Sequence, residues 1–137
     1  MNILFLGAPG SGKGTQSKNI EEKFNIPQIS TGDLLRAETA SESKMGQELK
    51  NIMSSGKFVS DDVVLKLVSK KITSSDCKNG FILDGFPRNL AQASSLDSLL
   101  SELNLSIEYV FLIDVSVDLI IKRCVGRITC NTCGKIE

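Results

Sequence analysis

Ile3-Leu4-Phe5-Leu6 runs directly into Gly7-Ala8-Pro9-Gly10-Ser11-Gly12-Lys13-Gly14-Thr15. The first four residues are wholly apolar, as a strand buried on both faces should be. The stretch after them is a glycine-rich loop with one lysine at its end. A phosphate-binding loop has the form Gly, four residues, Gly-Lys and then Ser or Thr, set between a strand and a helix. Gly7, Gly12 and Lys13 fit that form, whereas Gly14 stands where the hydroxyl is expected and Thr15 comes one residue late. The physics tolerates the shift. Glycines let backbone N–H groups converge as an anion nest, and a helix beginning near Lys13 adds the positive end of its dipole. Lys13 adds a mobile point charge for the outer phosphates of a nucleoside triphosphate. A plain Gly/Pro/Ser turn is the competing reading, but it does not explain why strand, glycines, lysine and helix arrive in that order.

The totals set bounds on what surrounds this loop. At 137 residues the chain has single-domain length, enough for one sizeable core, and 41% hydrophobic residues suit a soluble globular protein. Sixteen basic and sixteen acidic residues cancel, which argues against a general nucleic-acid or membrane-surface binder. Met1-Asn2 leads straight into the strand with no basic leader, and the apolar runs are too short to span a bilayer, so a cytoplasmic location is expected. There is no histidine, which removes imidazole from acid–base chemistry and metal ligation in this chain. Cys77, Cys124, Cys130 and Cys133 then read as reduced thiols or metal ligands.

Apolar runs and helical periodicities alternate outward from the loop, predicting an α/β fold with a parallel sheet and helices on both faces. Strands are expected at 2–6, 28–30, 81–83 and 109–113. A helix follows the loop to Phe24, and another begins at Thr31-Gly32-Asp33. The polar stretch 38–54 is expected to be helical only in pieces, forming an excursion outside the sheet. Ser60-Asp61-Asp62 reads as the capped start of a helix with Val64, Val68 and Ile72 inside. A helix over 89–102 carries Leu96, Leu99, Leu100 and Leu103 at core spacing. Ser116 is expected to cap a last helix that buries Ile120, Ile121, Cys124 and Val125.

Three further constellations bear on chemistry. Asp84 ends the strand Phe81-Ile82-Leu83, where an acid in P-loop enzymes holds magnesium or its waters; an acid there can also merely cap a turn. Gly85-Phe86-Pro87-Arg88 then delivers an arginine at the carboxyl edge of the sheet, where ligands of open parallel sheets bind. Arg123 and Arg127 are four apart, which is expected to place them on one helix face, pointing the same way. Such a pair is either a solvated face or a clamp for phosphate, to which the guanidinium fork is matched. Cys130-Asn131-Thr132-Cys133-Gly134 has the spacing of one half of a zinc knuckle, or of two surface thiols.

Taken together, Gly7–Thr15, Thr31-Gly32-Asp33-Leu34-Leu35-Arg36, Gly56-Lys57-Phe58-Val59, Asp84-Gly85-Phe86-Pro87-Arg88 with Gln92, and Arg123 to Arg127 resemble the adenylate kinases, within the nucleoside monophosphate kinases. The resemblance covers essentially the whole chain and implies a P-loop NTPase-type fold. Residues 1–29 and 60–127 would be the core, 30–59 a mobile AMP-binding domain, and 128–137 the start of a zinc-type lid. It implies reversible transfer from Mg-ATP to AMP giving two ADP, by a monomer serving nucleotide homeostasis. Gly10, Ser11, Gly12, Lys13, Gly14 and Thr15 would hold ATP phosphates, with Arg127, Ile136 and Glu137 also on the ATP side. Thr31, Arg36, Lys57, Phe58, Val59, Gly85, Phe86, Pro87, Arg88 and Gln92 would bind AMP. Lys13, Arg88 and Arg123 would act on the transferring group, Asp84 on Mg²⁺ through water, and Cys130 with Cys133 on Zn²⁺.

UMP/CMP kinases share the resemblance up to Arg88-Asn89, but Gln92 favours an adenine edge, to which a carboxamide can both donate and accept. Members of the family continue past the position of Glu137 with the rest of the lid, more arginines, a strand and a helix. The chain is therefore expected to be the first part of such an enzyme, poorly active and marginally stable alone. The other reading of the same pattern is a nucleotide-binding unit without useful turnover.

Overall fold

Side chains alternate across each strand and divide between two apolar layers, and that division organises the molecule. The computed structural model describes residues 1–128 and 130–133. Its strands are β1 (Asn2–Leu6), β2 (Gln28–Ser30), β3 (Phe81–Asp84) and β4 (Tyr109–Leu112). The helices are α1 (Lys13–Phe24), α2 (Thr31–Ala40), α3 (Lys44–Ser54), α4 (Asp61–Ile72), α5 (Leu90–Glu102) and α6 (Val117–Val125). The strands form one parallel sheet in the order β2-β3-β1-β4, with Phe5 opposite Asp84 and Leu6 opposite Leu112. Ile3, Phe5 and Ile82 face Ile26, with Ile20 of α1 packed beside them. Leu4, Phe81 and Leu83 face the other way, against Val68 and Ile72 of α4 and Leu96 and Leu100 of α5. Burying each such side chain stabilises the fold by about 1.5–3 kcal/mol.

This order creates a crevice. The connection leaving β1 runs through α1 to β2, on the far side of β3, while that leaving β3 runs through α5 to β4, on the far side of β1. The loops after β1 and β3 therefore part in opposite directions, the arrangement in which α/β sheets hold ligands at the strands' carboxyl ends.

Several expectations need correction. The stretch 38–54 is helical in pieces as expected, but the pieces leave only 41–43 outside α2 and α3. Ser43 caps α3 by accepting the Gly46 N–H at 2.9 Å, and the helix turns Gly46 and Leu49 inward. Asn89 likewise caps α5 through the Gln92 N–H at 2.8 Å. Ser60 and Ser116 precede their helices but their side chains cap neither. The largest departure is α6, none of whose residues is buried. Its apolar stripe is real, but β4 is an outer strand with all four residues exposed, and among the described residues no layer covers that end of the sheet. No described helix is long and apolar enough to cross a membrane.

Candidate active site

The loop after β1 is held by its own backbone. Ser11 N–H donates to Ala8 O at 3.1 Å, and Gly12 caps α1 with a φ of 104°. Gly7 has no room for a side chain: a Cβ there would lie 2.6 Å from the Ile113 carbonyl oxygen and 2.9 Å from Ser11 Oγ. Lys13 Nζ donates back to Gly7 O at 2.7 Å and Ala8 O at 3.0 Å, which leaves one of its three protons over the loop. Ser11 Oγ is buried with no hydrogen-bond partner among the described residues. A buried hydroxyl normally has one, so an anion seated on the loop would satisfy both groups.

Asp84 ends β3 beside this loop, with Oδ2 3.8 Å from where a Gly14 Cβ would stand. That is ordinary contact distance, so the carboxylate stands next to the start of α1. Gln28 Nε2 donates to Asp84 Oδ2 at 2.8 Å, and the Gln28 N–H is itself tied to Glu21 Oε1 of α1 at 3.1 Å. One carboxylate, its other oxygen free of that bond, beside a phosphate loop is the donor set magnesium uses when substrate phosphates and waters complete its shell. The described residues contain no cluster of three or more metal-ligating side chains, so a cage made of protein alone is not present among them.

After Asp84 the chain turns at Gly85, whose φ of 81° belongs to the left-handed region, and passes the cis Phe86–Pro87 peptide. This turn brings Arg88 back on itself: Nε donates to Gly85 O at 2.8 Å and Nη2 reaches Thr31 Oγ1 at 3.5 Å. The Arg88 N–H donates to Gln92 Oε1 at 2.7 Å, and Gln92 Nε2 donates to Asp61 Oδ1 at 2.6 Å. These groups border a cavity of about 430 Å³ between the sheet edge and the ends of α2, α3 and α4. The cavity gathers Thr31, Lys57, Phe58, Val59, Gly85, Phe86, Arg88 and Gln92, all named from sequence. Phe58 reaches it while remaining 99% exposed. Pro87 and Arg36 do not line it; Arg36 pairs with Asp33 on the surface, and such pairs are weak enough to exchange for a ligand's phosphate. Gln28 and Asp61 were not anticipated as site residues, because each acts through a partner distant in sequence, and Leu35, Met53 and Val64 were not anticipated as apolar lining of the cavity.

Arg123 and Arg127 part company. Arg123 Nη1 donates to Gly10 O at 3.2 Å and Ser11 O at 3.4 Å, so it sits on the phosphate loop. Arg127 lies beyond the helix, which Gly126 ends, and the four-residue spacing does not put it on the same face. Cys124 is exposed rather than packed in a core, although its Sγ–H points to Pro9 O at 3.7 Å. Ile136 and Glu137 lie outside the described residues.

Cys130 and Cys133 are exposed on a turn. Backbone N–H groups of Cys133 and Thr132 aimed at the Cys130 sulfur lower its pKa to about 7 from an ordinary 9.0. Burial instead pushes the Cys77 thiol up. The thiolate is the nucleophile, so iodoacetamide should label Cys130 first in metal-free protein, at a rate rising through about pH 7, with Cys77 last. Mass spectrometry across pH 5.5–9.5 (a range of roughly two units either side of neutral) reads this out, and a labelling midpoint near 9 for Cys130 would contradict it. Two thiols are half of a tetrahedral zinc set, and among the described residues nothing supplies the other half.

Comparison with known proteins agrees with the geometry. The family model described as adenylate kinase matches residues 5–135. An adenylate kinase of Thermodesulfovibrio yellowstonii is 53% identical over 136 residues, covering 99% of this chain and 63% of that protein. Adenylate kinases of Archaeoglobus fulgidus and Ruminiclostridium cellulolyticum are each 48% identical, over 136 and 134 residues and again 63% of their length. The chain thus spans about 63% of the length of the curated relatives it matches. At these identities, and with nearly all of the chain matched, it belongs to the adenylate kinase family.

Proposed function

We propose that the chain carries the donor loop and acceptor pocket of an enzyme that moves the terminal phosphoryl group of magnesium ATP to AMP, giving two ADP for nucleotide homeostasis. The observation behind this reading is that β3 ends in Asp84 beside β1 and its loop and continues into Gly85 and Arg88, which border a cavity that runs to Gln92. In the reaction the bond from the γ-phosphorus to its bridging oxygen breaks, and a bond to an AMP phosphate oxygen forms. That oxygen is already anionic, so no general base is required, which suits a chain without histidine.

The residues divide the work by position. Backbone N–H groups from Gly10 to Thr15 and the Lys13 ammonium hold the ATP phosphates. Asp84 would hold magnesium through water, and bound magnesium neutralises charge on the outer phosphates. Arg88, anchored on Gly85, and Arg123, anchored on the loop, stabilise charge on the transferring group. Residues 30–59, as an AMP-binding unit, bring Thr31, Arg36 and Lys57 to the acceptor phosphate, while Gln92 reads the adenine. Residues 1–29 and 60–127 are the core, and Arg127 stands where a lid from 128 onward would start. Cys130 and Cys133 would hold zinc there with two ligands from outside the described residues. We further propose a cytoplasmic monomer with small-molecule partners; zero net charge bears only on the last point, since it offers no general attraction for nucleic acid or an anionic membrane.

Acceptor choice is the test. With ATP and magnesium, ADP formation from AMP should exceed that from CMP or UMP by at least about 10²-fold in kcat/KM. Preference for a pyrimidine acceptor would overturn the assignment, and binding of both nucleotides without ADP formation would leave a nucleotide-binding unit.

A further inference from the structure

We propose that Asp61 sets the base preference of the acceptor pocket, by fixing which way round the Gln92 carboxamide faces. The inference rests on reading the cavity as the AMP pocket. Gln92 is only 8% exposed, and both ends of its amide are engaged: Oε1 accepts the Arg88 N–H at 2.7 Å, and Nε2 donates to Asp61 Oδ1 at 2.6 Å. A backbone N–H can only donate and an ionised carboxylate can only accept, so the order of oxygen and nitrogen along the amide is dictated by its two neighbours. Asp61 is the acid of this pair, contributed by the first turn of α4 and lining the same cavity, 31 positions from Gln92.

One Nε2 proton and one Oε1 lone pair remain for a ligand, in a fixed order. A 6-aminopurine presents a ring-nitrogen acceptor beside an amino donor. A 6-oxopurine presents the reverse, a ring N–H beside an oxygen acceptor. To serve the second base, the carboxamide must turn by half a circle. That would set Nε2 against the Arg88 N–H and Oε1 against the Asp61 carboxylate, donor to donor and acceptor to acceptor. In water such a turn is cheap; in a nearly water-free position both mismatches persist. Asp61 is therefore a positioning residue, which acts on the base through Gln92. The ligand class it selects is the 6-amino nucleoside monophosphate over the 6-oxo one.

Asp61→Asn tests this, because an asparagine can turn either its oxygen to Nε2 or its nitrogen to Oε1, which removes the mismatch at position 61 and leaves only the one at the Arg88 N–H. Calorimetric affinities for AMP and inosine monophosphate should favour AMP in the parent protein. In Asp61→Asn the AMP-to-inosinate ratio should fall about tenfold, with weaker AMP binding and stronger inosinate binding, and thermal unfolding should remain cooperative. In a Gln92→Leu background, the same change at Asp61 should no longer move the ratio, which a merely structural role would not predict. A parent preference for AMP that survives Asp61→Asn within about twofold overturns the role of Asp61 alone. Absence of AMP binding by the parent overturns the pocket reading, and this inference with it.

Discussion

Lys13→Met is expected to lower turnover by about 10³-fold or more while the protein stays folded, the largest effect of any single change in this chain. Methionine keeps the length and apolar stem of lysine and removes only the charge and its donors. In the structure that charge is held over the loop by the Gly7 and Ala8 carbonyls, at 2.7 Å and 3.0 Å. Losing those bonds costs stability of about 1 kcal/mol, since the loop is reached by water and the carbonyls can be solvated. The catalytic loss is far larger, because several negative oxygens converge on the same point during transfer, and among the described side chains only Lys13 and Arg123 are hydrogen-bonded to the loop's carbonyls as cations. Single-turnover rates together with a thermal melt separate the two effects. Undiminished turnover in a folded Lys13→Met protein would overturn the phosphate assignment of the loop.

What the sequence reveals and what it hides follow from how far apart the interacting residues are. The phosphate loop is legible because its chemistry is local: strand, glycines, lysine and helix start lie within fifteen residues, and the backbone itself does the binding. The sheet is legible because Ile3–Leu6 and Phe81–Leu83 are short, wholly apolar runs, which suit central parallel strands and little else. Gln28 and Asp61 are not legible, since their roles exist only through Asp84 and Gln92, 56 and 31 positions away. The sequence around Asp61 explains it fully as a first-turn acid of α4, so nothing local asks for a second role. Arg127 shows a different failure. A spacing of four implies a shared face only while the helix lasts, and Gly126 ends it one residue too soon. For α6 the periodicity is correct, but periodicity reports an apolar face and not what lies opposite it. Ile121 and Val125 are accordingly 55% and 83% exposed.

Arg88→Lys should be nearly as damaging as loss of Lys13, although it conserves charge. The arginine does two things at once: Nε is fixed to the Gly85 carbonyl at 2.8 Å, and the far side of the guanidinium is left to meet a ligand beside Thr31. A lysine has a single nitrogen at the end of a flexible stem, so it can hold the Gly85 carbonyl or reach a phosphoryl oxygen, but not both in a fixed geometry. The expected result is a fall in kcat of about 10²–10³-fold. AMP affinity should change much less, because the backbone N–H of residue 88 still donates to Gln92, and the adenine end of the pocket depends on that bond and not on the side chain. A large kcat effect with a small effect on AMP dissociation is the signature of an interaction made chiefly in the transition state. An equal loss in both would instead make Arg88 a ground-state anchor for the AMP phosphate. A kcat within about threefold of the parent would show that charge alone suffices and that the anchoring by Gly85 has no catalytic consequence.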